Sequence, residues 1–270
     1  MKNKNLKKFY SNVYVKKGEK KHYTKLLFGK TKIPNEEREV LREVKWRGKT
    51  VLDVGCGTGL LCHEIAKLGA KKVMGIDFAK GAIEVAKSTY QHPRLQYFCE
   101  DIKNHRGRYD VIVSLGTLEH MDNPFSMLKR LKEKNLKRSG SLIVTCPNWT
   151  NPRGYILQTL WHLFRARITL ADLHYLTPIE FQKWAQRLNM SLHWRTFDYD
   201  WAHGERLIKD FKRRIPNVLR DSNLPKHQKN IDGFISWIRM HILPLNHRKK
   251  FSGATGLYHF RRGGFKNVTR

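Results

Sequence analysis

The stretch Val51-Leu52-Asp53-Val54-Gly55-Cys56-Gly57-Thr58-Gly59 constrains this chain more than any other part of it. An apolar run from Lys49 to Val54 ends in three alternate glycines, and Leu60 to Leu68 then follows at helical spacing. A strand must therefore turn through a tight loop straight into a helix. Glycines there let the backbone approach a ligand, and the free N–H groups at the helix start favour an anionic group. The dinucleotide fingerprint needs a glycine where Leu60 stands, which weighs against hydride chemistry on a nicotinamide cofactor. Asp53, just ahead of the first glycine, would crowd a pyrophosphate and suits a ligand carrying an ammonium or a sulfonium.

The alternation continues beyond the loop. Lys72–Ile76 reads as a strand followed by Asp77, Lys80–Thr89 as a helix, Leu95–Cys99 and Tyr109–Ser114 as strands, Pro124–Leu131 as a helix and Ser141–Cys146 as a strand. Such alternation gives a parallel sheet covered on both faces, with ligands outside the carboxyl ends of its strands. Acidic residues fall at successive strand ends: Asp77, Glu100-Asp101 and Glu119. Topology brings them to one crevice, where Asp77 can accept both hydroxyls of a ribose and Asp101 the amino group of an adenine. A pocket of this kind prefers a cationic nucleoside.

The later chain is less regular. Thr177-Pro178-Ile179-Glu180 joins a capping hydroxyl, a proline at the first helical position and a glutamate three residues after the cap, so a helix runs from Pro178 to Leu188. Ser191–Tyr199 alternates like a strand, and Gly256–Phe260 reads as a last one. Between them, residues 201–252 form a basic insertion with helix-like stretches at Glu205–Arg214 and Ile231–Leu243.

Charge separates the flanks from the middle. The 270 residues carry 53 Lys and Arg against 23 Asp and Glu, a formal net charge of +30. Residues 1–50 contribute +11 and residues 151–270 contribute +14, leaving only +5 for residues 51–150. An anionic partner is implied for the periphery: nucleic acid, an anionic membrane surface or an acidic small molecule. Cys56, Cys62, Cys99 and Cys146 form no C-x-x-C pair and read as buried free thiols. The absence of a signal-peptide core and of a membrane-spanning run places the expected location in the cytoplasm, with a peripheral membrane position as its variant.

Taken together, Val51–Gly59, Gly75-Ile76-Asp77, Cys99-Glu100-Asp101-Ile102 and Asp110–His120 resemble the motifs of the class I S-adenosylmethionine-dependent methyltransferases, over residues 35–190. The resemblance implies an α/β fold: a Rossmann-like three-layer sandwich with a seven-stranded, mostly parallel sheet and an antiparallel last strand, here with a helical lid and insertion. It implies S-adenosylmethionine as cofactor, held by Asp53, Gly55, Cys56, Gly57, Asp77, Phe78, Asp101, Ile102 and Leu115. Thr117-Leu118-Glu119-His120 and Leu173–Pro178 are similar to the branch that contains the ubiquinone-biosynthesis O-methyltransferases. Members of that branch can hold a metal through E-x-x-E-H; Gly116 occupies the first Glu position here, so no metal is required on this reading.

Methyl transfer from a sulfonium demands mainly that the nucleophile be positioned, and a base helps when that nucleophile is a hydroxyl. His120, after the fourth strand, and His174 are the candidate bases, each with a structural hydrogen bond or a surface position as its alternative. Tyr155–Phe164, followed by Arg165 and Arg167, reads as a substrate lid or a membrane-resting helix, with Trp161, Tyr175 and Glu119 facing the acceptor. Ile231, Phe234, Ile235, Ile238, Ile242 and Leu245 make a second amphipathic basic element, whose alternative is a core-facing stripe. The arm over residues 1–34 carries lysines among aromatics and can bind single strands or fold over the cofactor, with His22 and Tyr23 as lid residues, or form a solvated tail.

The expected organisation is that arm followed by a methyltransferase domain over 35–270, with core 35–199 and 256–262, lid 148–176 and insertion 201–252. The leading functional expectation is methylation of an oxygen on a small acceptor, lipid-linked or anionic. An RNA methyltransferase whose basic flanks hold phosphates is the alternative, and a cofactor-binding protein without catalysis is the second.

Overall fold

Strands buried on both faces set the architecture. The computed structural model describes residues 33–169, 171–245 and 248–262. Most of the basic arm, with His22 and Tyr23, lies outside the described residues. The elements in order are α1 (Asn35–Leu41), β1 (Thr50–Val54), α2 (Leu60–Lys67), β2 (Lys72–Asp77), α3 (Lys80–Thr89), β3 (Leu95–Cys99), β4 (Tyr109–Leu115), a 3₁₀ turn (Leu118–His120), α4 (Pro124–Arg130), β5 (Leu136–Pro147), α5 (Pro152–Phe164), α6 (Pro178–Arg187), β6 (Ser191–Phe197), α7 (Tyr199–His203), α8 (Glu205–Asp221), α9 (Gln228–His241) and β7 (Thr255–Arg261).

The sheet runs β3-β2-β1-β4-β5-β7-β6. Leu52 pairs with Met74 on β2 and with Ile112 on β4 in parallel register, and Gly75 pairs with Tyr97 on β3. Continuous burial along β1, β2 and β4 explains their unbroken apolar runs, whereas β3, at the edge, exposes Phe98. The far end reverses direction. Asn148 N bonds Ala254 O while Arg262 N bonds Gly140 O, a descending register that makes β7 antiparallel to β5. The β6 and β7 strands likewise run against each other, as the hairpin reading requires, with Ser191 Oγ on Arg261 O and Ala254 N on Asp198 O.

The described residues divide into two compact units, residues 33–145, 182–193 and 258–262, and residues 146–181 and 194–257. In the first, α2 and α3 pack on β2 and β3. The second has a core of its own, in which Trp149, Leu157 and Ile168 meet Leu207, Phe211 and Ile235. Its buried Asp210 is ringed by Arg153 at 3.0 Å and Arg214 at 2.9 Å. Burial works to raise the Asp210 carboxyl, and the bonds and charges of the two arginines hold it below its ordinary value instead. Among the described residues no helix is long and apolar enough to cross a membrane.

Two elements outrun their sequence expectation. The α8 helix passes Arg214 and continues through Pro216 to Asp221, because Ile215 and Val218 extend the stripe begun by Leu207 and Phe211. Pro216 has no N–H for Lys212 O, and one residue on, Asn217 Nδ2 donates to Arg213 O at 3.0 Å. Strand β5 begins at Leu136, five residues early, because its register against β4 shifts between Tyr109 and Val111 and leaves Arg138 and Ser139 to solvent. The capping box reads as expected, with Thr177 N donating to Glu180 Oε2 at 2.7 Å.

Gly59 carries the turn into α2 at φ +88°, and a β-carbon there would strike the ring of buried Tyr97, whose hydroxyl donates to Gly59 O at 3.0 Å. Gly59→Ala should lower stability by roughly 2–4 kcal/mol. Gly233, inside α9 with open space around it, should give the opposite sign, a gain of about 0.5–1 kcal/mol for Gly233→Ala. Urea titrations followed by circular dichroism test both.

Candidate active site

The glycine loop is held in place by the residue that ends the second strand. Gly57 N donates to Asp77 Oδ2 at 3.1 Å, and Ala79 N donates to Asp77 Oδ1 at 2.8 Å. Gly55 N and Cys56 N both reach Ile76 O, at 2.8 and 3.0 Å. Gly55 sits at φ +77°, and a β-carbon on it would come within 2.6 Å of Thr117 Oγ1. The first and second strand ends and the turn after β4 are thereby brought around one opening.

That opening is a cavity of about 600 Å³, a size suited to a small molecule. Gly55, Gly57, Asp77, Phe78, Asp101, Ile102 and Leu115 all line it, as does His120. Burial raises the Asp77 carboxyl, working against the backbone N–H bonds of Ala79, Gly57 and Phe78 that lower it. Its oxygens each keep a lone pair for a further donor. Asp101 turns the next strand end, accepting Lys103 N at 2.9 Å. Glu100 also lines the cavity; its Oε1 lies 2.5 Å from His105 Nδ1, and His105 Nε2 lies 2.8 Å from the Tyr109 hydroxyl.

Other expected site residues lie elsewhere. Asp53 and Cys56 do not line the cavity. Asp53 sits within β1 at 2% exposure, where Cys62 Sγ donates to its Oδ2 at 3.2 Å, so its strand position turns it toward α2 instead of toward a ligand. Glu119 is buried in the 3₁₀ turn beside His120 and also lies off the cavity. Gly116, at the place of the first metal-motif glutamate, adopts φ +53° and lines the wall. His174, Trp161 and Tyr175 belong to the second unit. There the Tyr175 ring stands edge-on to Trp149 and Trp161, with centroids 5.1 and 5.2 Å away.

The sequence reading missed the contribution of α4. Ser126, Met127 and Arg130 line the cavity together with Met121 and Asn123. Arg130 Nη2 donates to Lys103 O at 2.5 Å and its Nε to Ile102 O at 3.4 Å, which fixes the backbone just past β3. The signal was present, since residues 126, 127 and 130 share one side of a helix.

With this geometry in place, a methyltransferase-domain family model matches residues 29–198. The ubiquinone biosynthesis O-methyltransferase of Nitrosococcus oceani is 31% identical over 155 residues, which cover 54% of this chain and 64% of that protein. Its counterpart in Coxiella burnetii is 30% identical over 162 residues, covering 57% and 68%. The chain thus spans about two thirds of the length of these relatives. Among solved structures, Haemonchus contortus phosphoethanolamine N-methyltransferase 2, in complex with phosphomonomethylethanolamine and S-adenosylhomocysteine, has the same fold with a TM-score of 0.59 at 14% identity, over 94% of this chain and 60% of that one.

Burial raises Asp53 from its ordinary 3.8 to about 7, helped by the charges of Asp77 and Glu37 and opposed by the Cys62 hydrogen bond. Between these two values the unfolded chain gives up a proton that the folded chain keeps, so stability falls as pH rises, by up to about 4 kcal/mol at pH 7. Asp53→Asn should remove most of that slope. Denaturation at pH 5 and pH 7 checks it: the wild-type protein is the less stable at pH 7, and the variant loses most of that difference, with the raised Asp77 keeping a smaller one.

Proposed function

The chain belongs to the methyltransferase-domain family, within the class I S-adenosylmethionine-dependent methyltransferases, and on that premise we propose that it methylates an oxygen of a small acceptor. The observation that carries this reading is the single cavity that gathers the glycine loop, Asp77, Asp101 and His120. The residues fit the cofactor. Gly55 and Gly57 leave a wall without side chains, acidic ends on β2 and β3 suit ribose hydroxyls and an adenine amino group, and Ile76, Ile102 and Leu115 offer apolar surface to the rings. When bound, S-adenosylmethionine supplies a methyl group on a sulfonium, which passes to a nucleophile as the positive charge on sulfur is lost.

The chain's own part is positioning and proton handling. Asp77 and Asp101 fix the nucleoside end, and Arg130 holds the backbone that carries Asp101 and Ile102. His120 lines the same cavity, and its ring nitrogen accepts the proton that an acceptor hydroxyl loses as its oxygen takes the methyl group. The O-methyltransferase names of the two curated relatives support oxygen as the acceptor atom. The basic arm and the second unit, which holds the segments read as lid and insertion, are assigned to acceptor selection.

Asp77→Ala should weaken S-adenosylhomocysteine binding by about 30- to 100-fold, as expected when a charged hydrogen-bond partner is removed, and isothermal titration reads it. His120→Ala should leave that affinity unchanged while lowering turnover by on the order of 100-fold or more. For the acceptor, labelled methyl groups should enter the small-molecule or lipid fraction of an extract. Label confined to RNA would replace this acceptor with the RNA reading, and binding without any transfer would leave a cofactor-binding protein.

A further inference from the structure

Large apolar side chains left in water concentrate in one half of this molecule. Among the described residues, nine of the eleven that are strongly exposed belong to the second unit. Three of them sit together in sequence at the end of α9 and in the turn behind it: Trp237 at 48%, Met240 at 63% and Leu245 at 58% exposure. The same helix already uses Ile231, Ile235 and Ile238 to fill the core of its own unit. Trp237 and Met240 lie away from that stripe on the outer side of the helix. Phe234 stacks on Trp237 with an interplanar angle of 9°, which broadens the outer patch.

The charges around the patch are mostly positive, although Arg239 is paired with Glu205 at 3.1 Å. Residues 226–251 contain six Lys and Arg and a single acidic residue, Asp232. Lys229 lies about three turns before Met240 on the same side of the helix. Tryptophan beside exposed aliphatic groups, edged by lysines, is the composition of a helix that rests in a membrane interface. A polyanion such as RNA would use the lysines and could stack on Trp237, but it has no use for Met240 and Leu245.

We propose that α9 and its following turn form a docking surface for a lipid bilayer with anionic headgroups, independent of the cofactor cavity. The apolar side chains enter the headgroup layer, and Lys226 and Lys229 supply the attraction to its charge.

The test is sedimentation of the full chain with vesicles of phosphatidylcholine alone or with about one third phosphatidylglycerol, a content that makes the surface clearly anionic. The protein should bind the anionic vesicles at least tenfold more tightly. The variant Trp237→Ser/Met240→Gln/Leu245→Gln should lose at least tenfold of that binding, and Lys226→Gln/Lys229→Gln should lose the preference for anionic lipid. Both variants should bind S-adenosylhomocysteine and melt like the wild type, which separates this surface from the cofactor reading. Absence of vesicle binding, equal binding to both vesicles, or unchanged binding by the triple variant would overturn the proposal. So would tighter binding to single-stranded RNA than to vesicles, or a concentration-dependent dimer that the triple variant abolishes.

Discussion

The carboxylate of Asp77 is the constraint on which the site depends. It accepts backbone N–H groups from the glycine loop and from the turn into α3 at the same time, so two strand ends are locked to each other before any ligand arrives. Without that tie, the middle of the loop at Gly57 would lose its bond to β2, leaving the bonds of Gly55 and Cys56 to Ile76 O and of the Tyr97 hydroxyl to Gly59 O at its ends. The parallel register of β1 and β2, which pairs Asp53 with Gly75, sets the distance over which the tie can form. The cavity then follows from topology: Gly55, Asp77, Asp101 and Leu115, at the carboxyl ends of β1 to β4, open on it together.

The second unit is organised by different means. Its polar interior is anchored by asparagines: Asn148 Nδ2 donates to Phe251 O and Gly253 O, both at 2.7 Å, and Asn151 both caps α5 at Gly154 N and donates to Gly253 O. These bonds stitch the segment after β5 to the segment before β7, and they bury amide groups that would be costly if left unpaired. The Asp210 cluster does the same with charge. Apolar packing of α8 and α9 against α5 completes a core that is local to the unit.

Much of this was legible in the sequence, for reasons that can be named. Strands β1, β2 and β4 are buried on both faces and so appear as unbroken apolar runs, while the glycine spacing and the strand-end acids mark the cavity directly. Legibility failed where tertiary packing overrode a local signal. The expected helix stretch ends at Arg214, two residues before Pro216, yet Ile215 and Val218 keep α8 intact to Asp221. The polar start of β5 hid behind Arg138 and Ser139, which face solvent beside a register shift against β4. Asp53 looked ligand-facing because it adjoins the glycines, but strand alternation points it at Cys62. Arg130 lies inside the expected helix Pro124–Leu131, and only the fold shows that it grips the backbone beyond β3.

On this reading the crevice over β1 to β4 holds S-adenosylmethionine. Hydrogen exchange, measured by mass spectrometry with and without S-adenosylhomocysteine, tests it most directly, because amide protection reports the bound segments without any assumption about the acceptor. Slower exchange is expected in residues 54–59, 76–79, 100–103 and 115–121. Protection confined to other segments, or none at saturating ligand, would contradict it.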